Sequence, residues 1–472
     1  MRILFLSSEI APFSKTGGLG DVSGALPAAL CRLGNEVISM CPLYASTSRA
    51  TLHPVGQSLT LRFPFQSVSV GYLAAPAHEG VINVLVDMPP FFERPKLYGY
   101  DDDARRFAAF SMAALTYCQM IGFAPDILHC NDWQTGLAAL ARQTGYGHTA
   151  LAAAKCVMTI HNLSYQGNFP KTEMQALGIP WSHFNVSGVE FYDRLSFLKT
   201  GLVYADAITT VSPSYASEIQ TVANGCGLDG LLRHRSNDLV GILNGVDSRE
   251  WNPGSDTFLP QTYEIKSMSG RRACRAELAK RFDIDEPQEN WPLFGNVGRM
   301  VHQKGTDLLL QSLPRFLEQG ASAVVVGSGD AEFEDAWVSL ARRFPRKLGV
   351  YVGFDSGLAH LVEAGSDFFM MPSRFEPCGL NQMYSLLYGA VPIVHCVGGL
   401  RDTVTDISLP GGTGIVFSGS PNDDLNNALV RAVELFRQPQ AYARCQRHGM
   451  AQDFSWKQSA DRYVSLYERL TQ

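Results

Sequence analysis

The feature that most constrains this chain is a rhythm. Short apolar runs recur, each followed by a glycine-bearing or polar loop and then by apolar residues at helical spacing. In the first half the runs are 3–6 (ILFL), 37–40 (VISM), 127–130 (ILHC), 156–160 (CVMTI) and 207–211 (AITTV). The rhythm lapses near 240–247 (VGILNGVD) and through Trp251-Asn252-Pro253-Gly254, a linker-like stretch. It restarts at 293–297, 323–326, 350–352, 367–371 and 392–395. Strands buried on both faces and alternating with helices belong to parallel, doubly wound sheets. The 472 residues exceed one ordinary core. The expectation is therefore α/β, with two such domains facing across a cleft, 1–245 and 246–454. Residues 455–472 are read as a closing helix returning to the first domain, with Trp456, Tyr463, Leu466 and Tyr467 on its apolar face. Residues 50–100 are less regular and suit shorter, antiparallel strands.

Bulk properties narrow the function. The net charge of -6 offers no basic excess to neutralise nucleic-acid phosphates, so no nucleic-acid partner is expected. No apolar run approaches a membrane span, and residues 2–7 are too short for a signal peptide's apolar core before Glu9 interrupts them. The 10 cysteines show no CxxC pair and no metal-ligand spacing, which suits free thiols. A cytoplasmic protein with no membrane partner, no metal and no cofactor is expected.

The chemistry gathers at strand ends, where open parallel sheets bind ligands. After the run 367–371 comes Ser373-Arg374-Phe375-Glu376-Pro377-Cys378-Gly379-Leu380, a loop with the carboxylate Glu376, then a helix expected over 379–388. Gly398-Gly399-Leu400 follows the next strand, and together the two loops offer backbone surfaces to a phosphate-bearing ligand. Arg299 and Lys304, five apart after the first strand of the second domain, suit a diphosphate clamp, although helix-start surface charges look the same alone. Lys15-Thr16-Gly17-Gly18-Leu19-Gly20-Asp21 follows the first strand of the chain. It lacks both the GxxxxGK[ST] and the GxGxxG orders, and suits either a diphosphate approached by backbone or a tight turn with a solvated Lys. Asp21 is expected to cap the helix that follows. His161 ends the run 156–160, and Asp132-Trp133 follows 127–130, where Asp132 suits a helix cap and Trp133 a sugar-stacking ring. Asp101-Asp102-Asp103 fits a DxD pattern superficially, but the helical pattern after it favours helix-start acids.

These motifs resemble, in order and over nearly the whole length, the bacterial glycogen synthases of the starch/glycogen synthase family. They are KTGGLGDV at 15–22, IHNLSYQG at 160–167, ILNGVD at 242–247, SRFEPCGL at 373–380 and YG…P…GGLRDTV at 388–404. The resemblance implies two Rossmann-like domains of GT-B architecture. The first would be the catalytic, acceptor-side domain and the second would bind the nucleotide sugar. It also implies a retaining glucosyltransferase that uses ADP-glucose and a glycogen or α-1,4-glucan acceptor. By that resemblance Lys15, Arg299 and Lys304 hold the diphosphate, and backbone near Gly17, Gly18, Cys378, Gly379 and Leu380 approaches the same phosphates. Glu376 would hold the transferred glucose, His161 would lie near its reacting face, and Asn244 would reach the sugar. Asp21 and Asp132 count among the substrate-binding positions. A related transferase using UDP-glucose or another acceptor is the alternative.

Two positions depart from wider patterns. Many related retaining transferases carry a second Glu eight residues after the first, where this chain has Tyr384. Family members often read HxHDW where this chain has His129-Cys130-Asn131-Asp132-Trp133, so Asn131 cannot carry a charge.

Overall fold

The computed structural model describes residues 1–145, 149–285, 290–419 and 421–472. The chain divides into two compact units, one of Met1–Gly245 with Trp456–Gln472 and one of Val246–Ser455.

In the first unit the runs become β1 (Arg2–Leu6), β2 (Glu36–Pro42), β3 (His53–Pro54), β4 (Leu59–Arg62), β5 (Ser67–Ala74) and β6 (Ile82–Asp87). They continue with β7 (Ile127–Asn131) and β8 (Lys155–Ile160). A small antiparallel sheet of β9 (Asn168–Pro170), β10 (Glu190–Phe191) and β11 (Arg194–Ser196) follows, and β12 (Ala207–Thr210) and β13 (Leu239–Gly241) complete the set. The main sheet runs β13-β12-β8-β7-β1-β2-β6-β5-β3, with β4 paired to β5. From β13 to β6 every pair is parallel, whereas β5 meets β6, β3 and β4 antiparallel. The antiparallel edge comprises the irregular stretch 50–100.

Successive residues of β1 serve opposite faces, as the period of two requires. Leu4 and Leu6 join Ile38, Leu128, Met158 and Phe107 in one core. Ile3 and Phe5 join Val22, Leu26, Ile127, Trp456, Tyr463 and Tyr467 in the other. The last helix, Trp456–Thr471, therefore covers one face of the first sheet through the apolar stripe read in the sequence. Its Ser459 hydroxyl donates to Leu243 O at 2.5 Å, fixing the helix to the loop after β13.

The second unit holds β14 (Leu293–Val297), β15 (Ser322–Gly327), β16 (Leu348–Val352), β17 (Phe368–Met371), β18 (Val391–His395) and β19 (Ile415–Phe417). All are parallel, in the order β16-β15-β14-β17-β18-β19. The chain winds outward from β14 in one direction and returns to wind from β17 in the other. Loops after β14 and β17 consequently diverge at a topological switch point, and β1 and β7 form the same point in the first unit.

Three local expectations change. Asp21 does not cap its helix: Gly18–Arg32 starts from Gly17 as N-cap, with Asp21 in the first turn and paired to Lys15. Asp132 caps nothing with its side chain, which turns instead to the backbone of His161. The helix after Glu376 starts at Asn381, two residues later than its pattern suggests, because Gly379 takes a left-handed φ of 73°. Of the DxD acids, Asp102 is bound by Arg94 and Asp103 by Arg106. Among the described residues no helix is long and apolar enough to cross a membrane.

Candidate active site

In the second unit the loops after β14 and β17 are joined through charge. The Glu376 side chain is buried, and its Oε2 accepts from Lys304 Nζ at 2.5 Å and from Ser373 Oγ at 3.0 Å. Its Oε1 has no hydrogen-bond partner among the described residues and remains available as an acceptor. Gln303 supplies a second bridge. Its Nε2 donates to Phe375 O at 3.1 Å, its carbonyl accepts from Arg374 N at 2.9 Å, and its Oε1 accepts from Arg299 at 3.1 Å. Arg299, Lys304 and Glu376 thus belong to one connected cluster, with Arg299 the exposed member. Arg374 points elsewhere and grips both oxygens of Asp307 at 2.7 Å, holding that carboxyl below the usual carboxylate range.

The backbone beside Glu376 divides into used and unused donors. Gly399 N donates to Glu376 O at 3.0 Å, so this N–H is spent on bracing the loop and offers a ligand nothing. That corrects the expectation of two free glycine surfaces. The contact is close enough to demand glycine: a Cβ on Gly398 would stand 1.9 Å from Glu376 O, and one on Gly399 2.1 Å from Cys378 O. By contrast, Gly379 and Leu380 N–H, at the start of the helix Asn381–Tyr388, have no partner among the described residues. Gln382 ties this turn down through its Nε2, which reaches Cys378 O, Gly379 O and Thr403 Oγ1, each at 3.1 Å. Two unpaired N–H groups at a helix start are of the kind that can receive an anion.

The first unit arranges its groups after β1, β7 and β8. Lys15 Nζ lies 2.6 Å from Asp21 Oδ1, and both side chains are partly exposed. Burial raises Asp21 despite the Lys15 charge. Gly17 and Gly18 form the N-cap and first residue of the helix, and a Cβ on Gly17 would meet nothing within 4 Å. The sequence reading missed Glu9, met there only as the charge ending the first apolar run. Glu9 is 3% exposed, and its carboxylate accepts from Thr16 N, from Thr16 Oγ1 at 2.6 Å and from Tyr98 OH at 2.6 Å. An acid in the loop just past a buried strand was the available signal.

His161 N donates to Asp132 Oδ1 at 2.7 Å, and His161 Nε2 lies 2.9 Å from Asn131 Oδ1. The Asn131 amide nitrogen donates to Leu6 O at 2.9 Å, which orients Oδ1 as the acceptor and places the His161 proton on Nε2. Asn131 therefore fixes the imidazole without any charge of its own. Burial pushes His161 down to about 3, so the ring is neutral near pH 7. Burial pushes Asp132 up to about 7, against the backbone donors of His161 and Asn162. Trp133 is 8% exposed and packs edge-on against Phe107 and Phe169, so it belongs to the core and not to a sugar-stacking surface. Asn244, after β13, is 8% exposed, and its Oδ1 is buried without a partner among the described residues. A buried, unsatisfied amide oxygen suits a ligand hydroxyl.

Two Rossmann-like α/β domains with strand-end cations, a carboxylate and helix N-termini define a glycosyltransferase of the GT-B class. Residues 2–234 match the family model described as starch synthase catalytic domain, and 279–448 match glycosyl transferases group 1. A glycogen synthase of Myxococcus xanthus is 51% identical, with 100% of this chain and 99% of that one covered. A glycogen synthase of Anaeromyxobacter dehalogenans is 47% identical, with 100% of both chains covered. The solved catalytic domain of starch synthase IV from Arabidopsis thaliana, bound to ADP and acarbose, superposes with a TM-score of 0.94 at 32% identity. That match covers 100% of this chain and 99% of the other. The chain belongs to the starch/glycogen synthase family and, within it, groups with the bacterial glycogen synthases.

Proposed function

We propose that this chain transfers glucose from ADP-glucose to the 4-hydroxyl at the non-reducing end of an α-1,4-glucan, with retention of configuration. The observation that carries the reading is the Lys304–Glu376–Ser373 cluster beside the unpartnered N–H groups of Gly379 and Leu380. The reaction must stabilise a departing diphosphate and an oxocarbenium-like sugar. Lys304, Arg299 and the helix start supply positive potential to the first. The open Oε1 of Glu376 accepts from a glucose hydroxyl, while its Oε2 stays tied to Lys304. The family resemblance assigns Lys15 and the backbone at Gly17 and Gly18 to the diphosphate. It assigns His161, neutral and aimed by Asn131, and Asn244 to the sugar.

The bond from glucose C1 to the diphosphate oxygen breaks as the bond from C1 to the acceptor's O4 forms on the same face. The acceptor proton passes to the departing diphosphate, so no protein base is required. The ten cysteines are all free thiols, which accords with a reducing, cytoplasmic setting. The test is incorporation of labelled glucose into glycogen from ADP-glucose and UDP-glucose in competition, with linkage analysis of the product. Preferential use of ADP-glucose to give α-1,4-linked product is expected. Exclusive use of UDP-glucose, or another linkage, overturns the reading.

A further inference from the structure

Tyr384 occupies the position at which many retaining transferases have a second Glu, and the site described above gives it no role. The residue is 8% exposed in the second unit. Its ring lies flat on the Trp251 indole, with centroids 3.7 Å apart and planes 3° apart. His360 lies on the same indole at 3.8 Å and 12°. Two rings at that spacing overlap if they share one face, so Trp251 is the middle of a three-ring pile. The far end is fixed: His360 Nδ1 is 2.7 Å from Asp256 Oδ2, which also accepts from Tyr388 OH at 2.5 Å. The near end is the donor helix. Tyr384 N donates to Leu380 O at 3.0 Å, and Met383 N to the same oxygen at 2.9 Å. Leu380 is the residue whose free N–H faces the diphosphate in the reading above.

We infer that Trp251 is a positioning residue for the donor diphosphate, acting through Tyr384 on the first turn of the helix Asn381–Tyr388. The aromatic at 384 is occupied by the indole, so it braces the anion site where a Glu would contact a ligand. Rigid support matters because small displacements of aimed donors carry large losses. The brace also ties residue 251, close to where the chain enters the second unit at Val246, to the donor loop.

The inference rests on the donor reading of Gly379 and Leu380, and one set of variants separates the two. ADP affinity by calorimetry, KM for ADP-glucose, KM for glycogen and Tm are measured together. Trp251→Ala is expected to raise the ADP Kd and the ADP-glucose KM about five- to tenfold while leaving the glycogen KM within about twofold. Trp251→Phe restores most of the loss. Tyr384→Phe keeps the stack and binds ADP as the parent does, whereas Tyr384→Leu behaves like Trp251→Ala. Leu340→Ala, a core truncation on the other face of the same sheet, lowers Tm but leaves ADP affinity unchanged. Unchanged ADP affinity in Trp251→Ala, or an equal loss in Leu340→Ala, overturns the inference. If Trp251→Ala does not fold, Tyr384→Leu carries the test with the same two outcomes. If Lys304→Ala also binds ADP normally, the donor reading itself fails; if it weakens ADP while the ring variants do not, only the brace fails.

Discussion

Each unit places a lysine after its first strand and pairs it with a carboxylate, Asp21 in the helix that follows β1 and Glu376 in the loop after β17, yet the two pairs differ. In the first, Lys15 and Asp21 are 44% and 30% exposed, and the buried acid nearby, Glu9, grips Thr16 and never touches the lysine. In the second, Lys304 and Glu376 are 26% and 7% exposed, and they pair with each other. Exposed pairs contribute about 0.2–1 kcal/mol and dissociate readily to meet a ligand. A pair with one buried member does not: removing its partner strands a charge, at a cost approaching ~3–5 kcal/mol for full burial. On the proposed reading, the Lys15 pair would act as a removable grip and the Lys304–Glu376 pair as a preset arrangement.

The largest effect should come from Glu376. Glu376→Ala is expected to lower kcat by on the order of a hundredfold or more, while ADP, which lacks the glucose, binds nearly as before. A large loss of ADP affinity with turnover preserved would reverse its role. Lys304→Ala comes next. On the proposed reading it removes a diphosphate contact and also strands Glu376, so donor use should fall by more than the ten- to hundredfold, or ~1.5–3 kcal/mol, of one charge-assisted contact. Tm should fall as well. Adding Glu376→Gln to Lys304→Ala should recover part of that Tm loss, and additive losses would break the coupling claimed for the second unit. Lys15→Ala should weaken donor use by only about tenfold, with Tm unchanged, since its partner Asp21 is left partly in water.

How much of this was legible depended on what each feature needed. The strands, the two sheets and the closing helix were readable because burial on both faces leaves long apolar runs and because Trp456, Tyr463 and Tyr467 recur at helical spacing. Arg299, Lys304 and Glu376 were readable as charges at strand ends. Gln303 and Asn131 were not, because their roles are hydrogen bonds to groups distant in sequence: Gln303 to Phe375, and Asn131 to Leu6 and His161. In sequence Asp21 and Asp132 look like caps because both precede or open helices, and only the folded chain shows Lys15 and the His161 N–H as their partners. Trp133 suits a sugar platform in sequence because nothing in its immediate neighbourhood reveals Phe107 and Phe169.

The smallest expected effect is one of pH. Asp132, raised from 3.8 to about 7, ionises later in the folded chain than in the unfolded one, so its contribution is complete below about pH 4 and is lost as pH rises to about 7. His129 and His161, lowered from 6.5 to about 3, act oppositely: their contribution is complete above about pH 6.5 and is lost as pH falls towards 3. Between pH 4 and 6.5 the two trends offset each other in the parent chain. Asp132→Asn should therefore make Tm climb more steeply with pH across that window than it does in the parent. Parallel curves would show that the Asp132 carboxyl is not held protonated by the fold.

The difference between a removable grip and a preset reacting centre is tested most directly by label transfer from ADP-glucose to glycogen at rising donor concentration. Lys15→Ala and Glu376→Ala are compared with the parent chain. Lys15→Ala should approach the parental rate once donor saturates, because it lost binding alone. Glu376→Ala should plateau at about one hundredth of that rate or below, whatever the donor concentration. If Glu376→Ala recovers with donor while Lys15→Ala stays low, Lys15 belongs to the chemistry and Glu376 to donor binding.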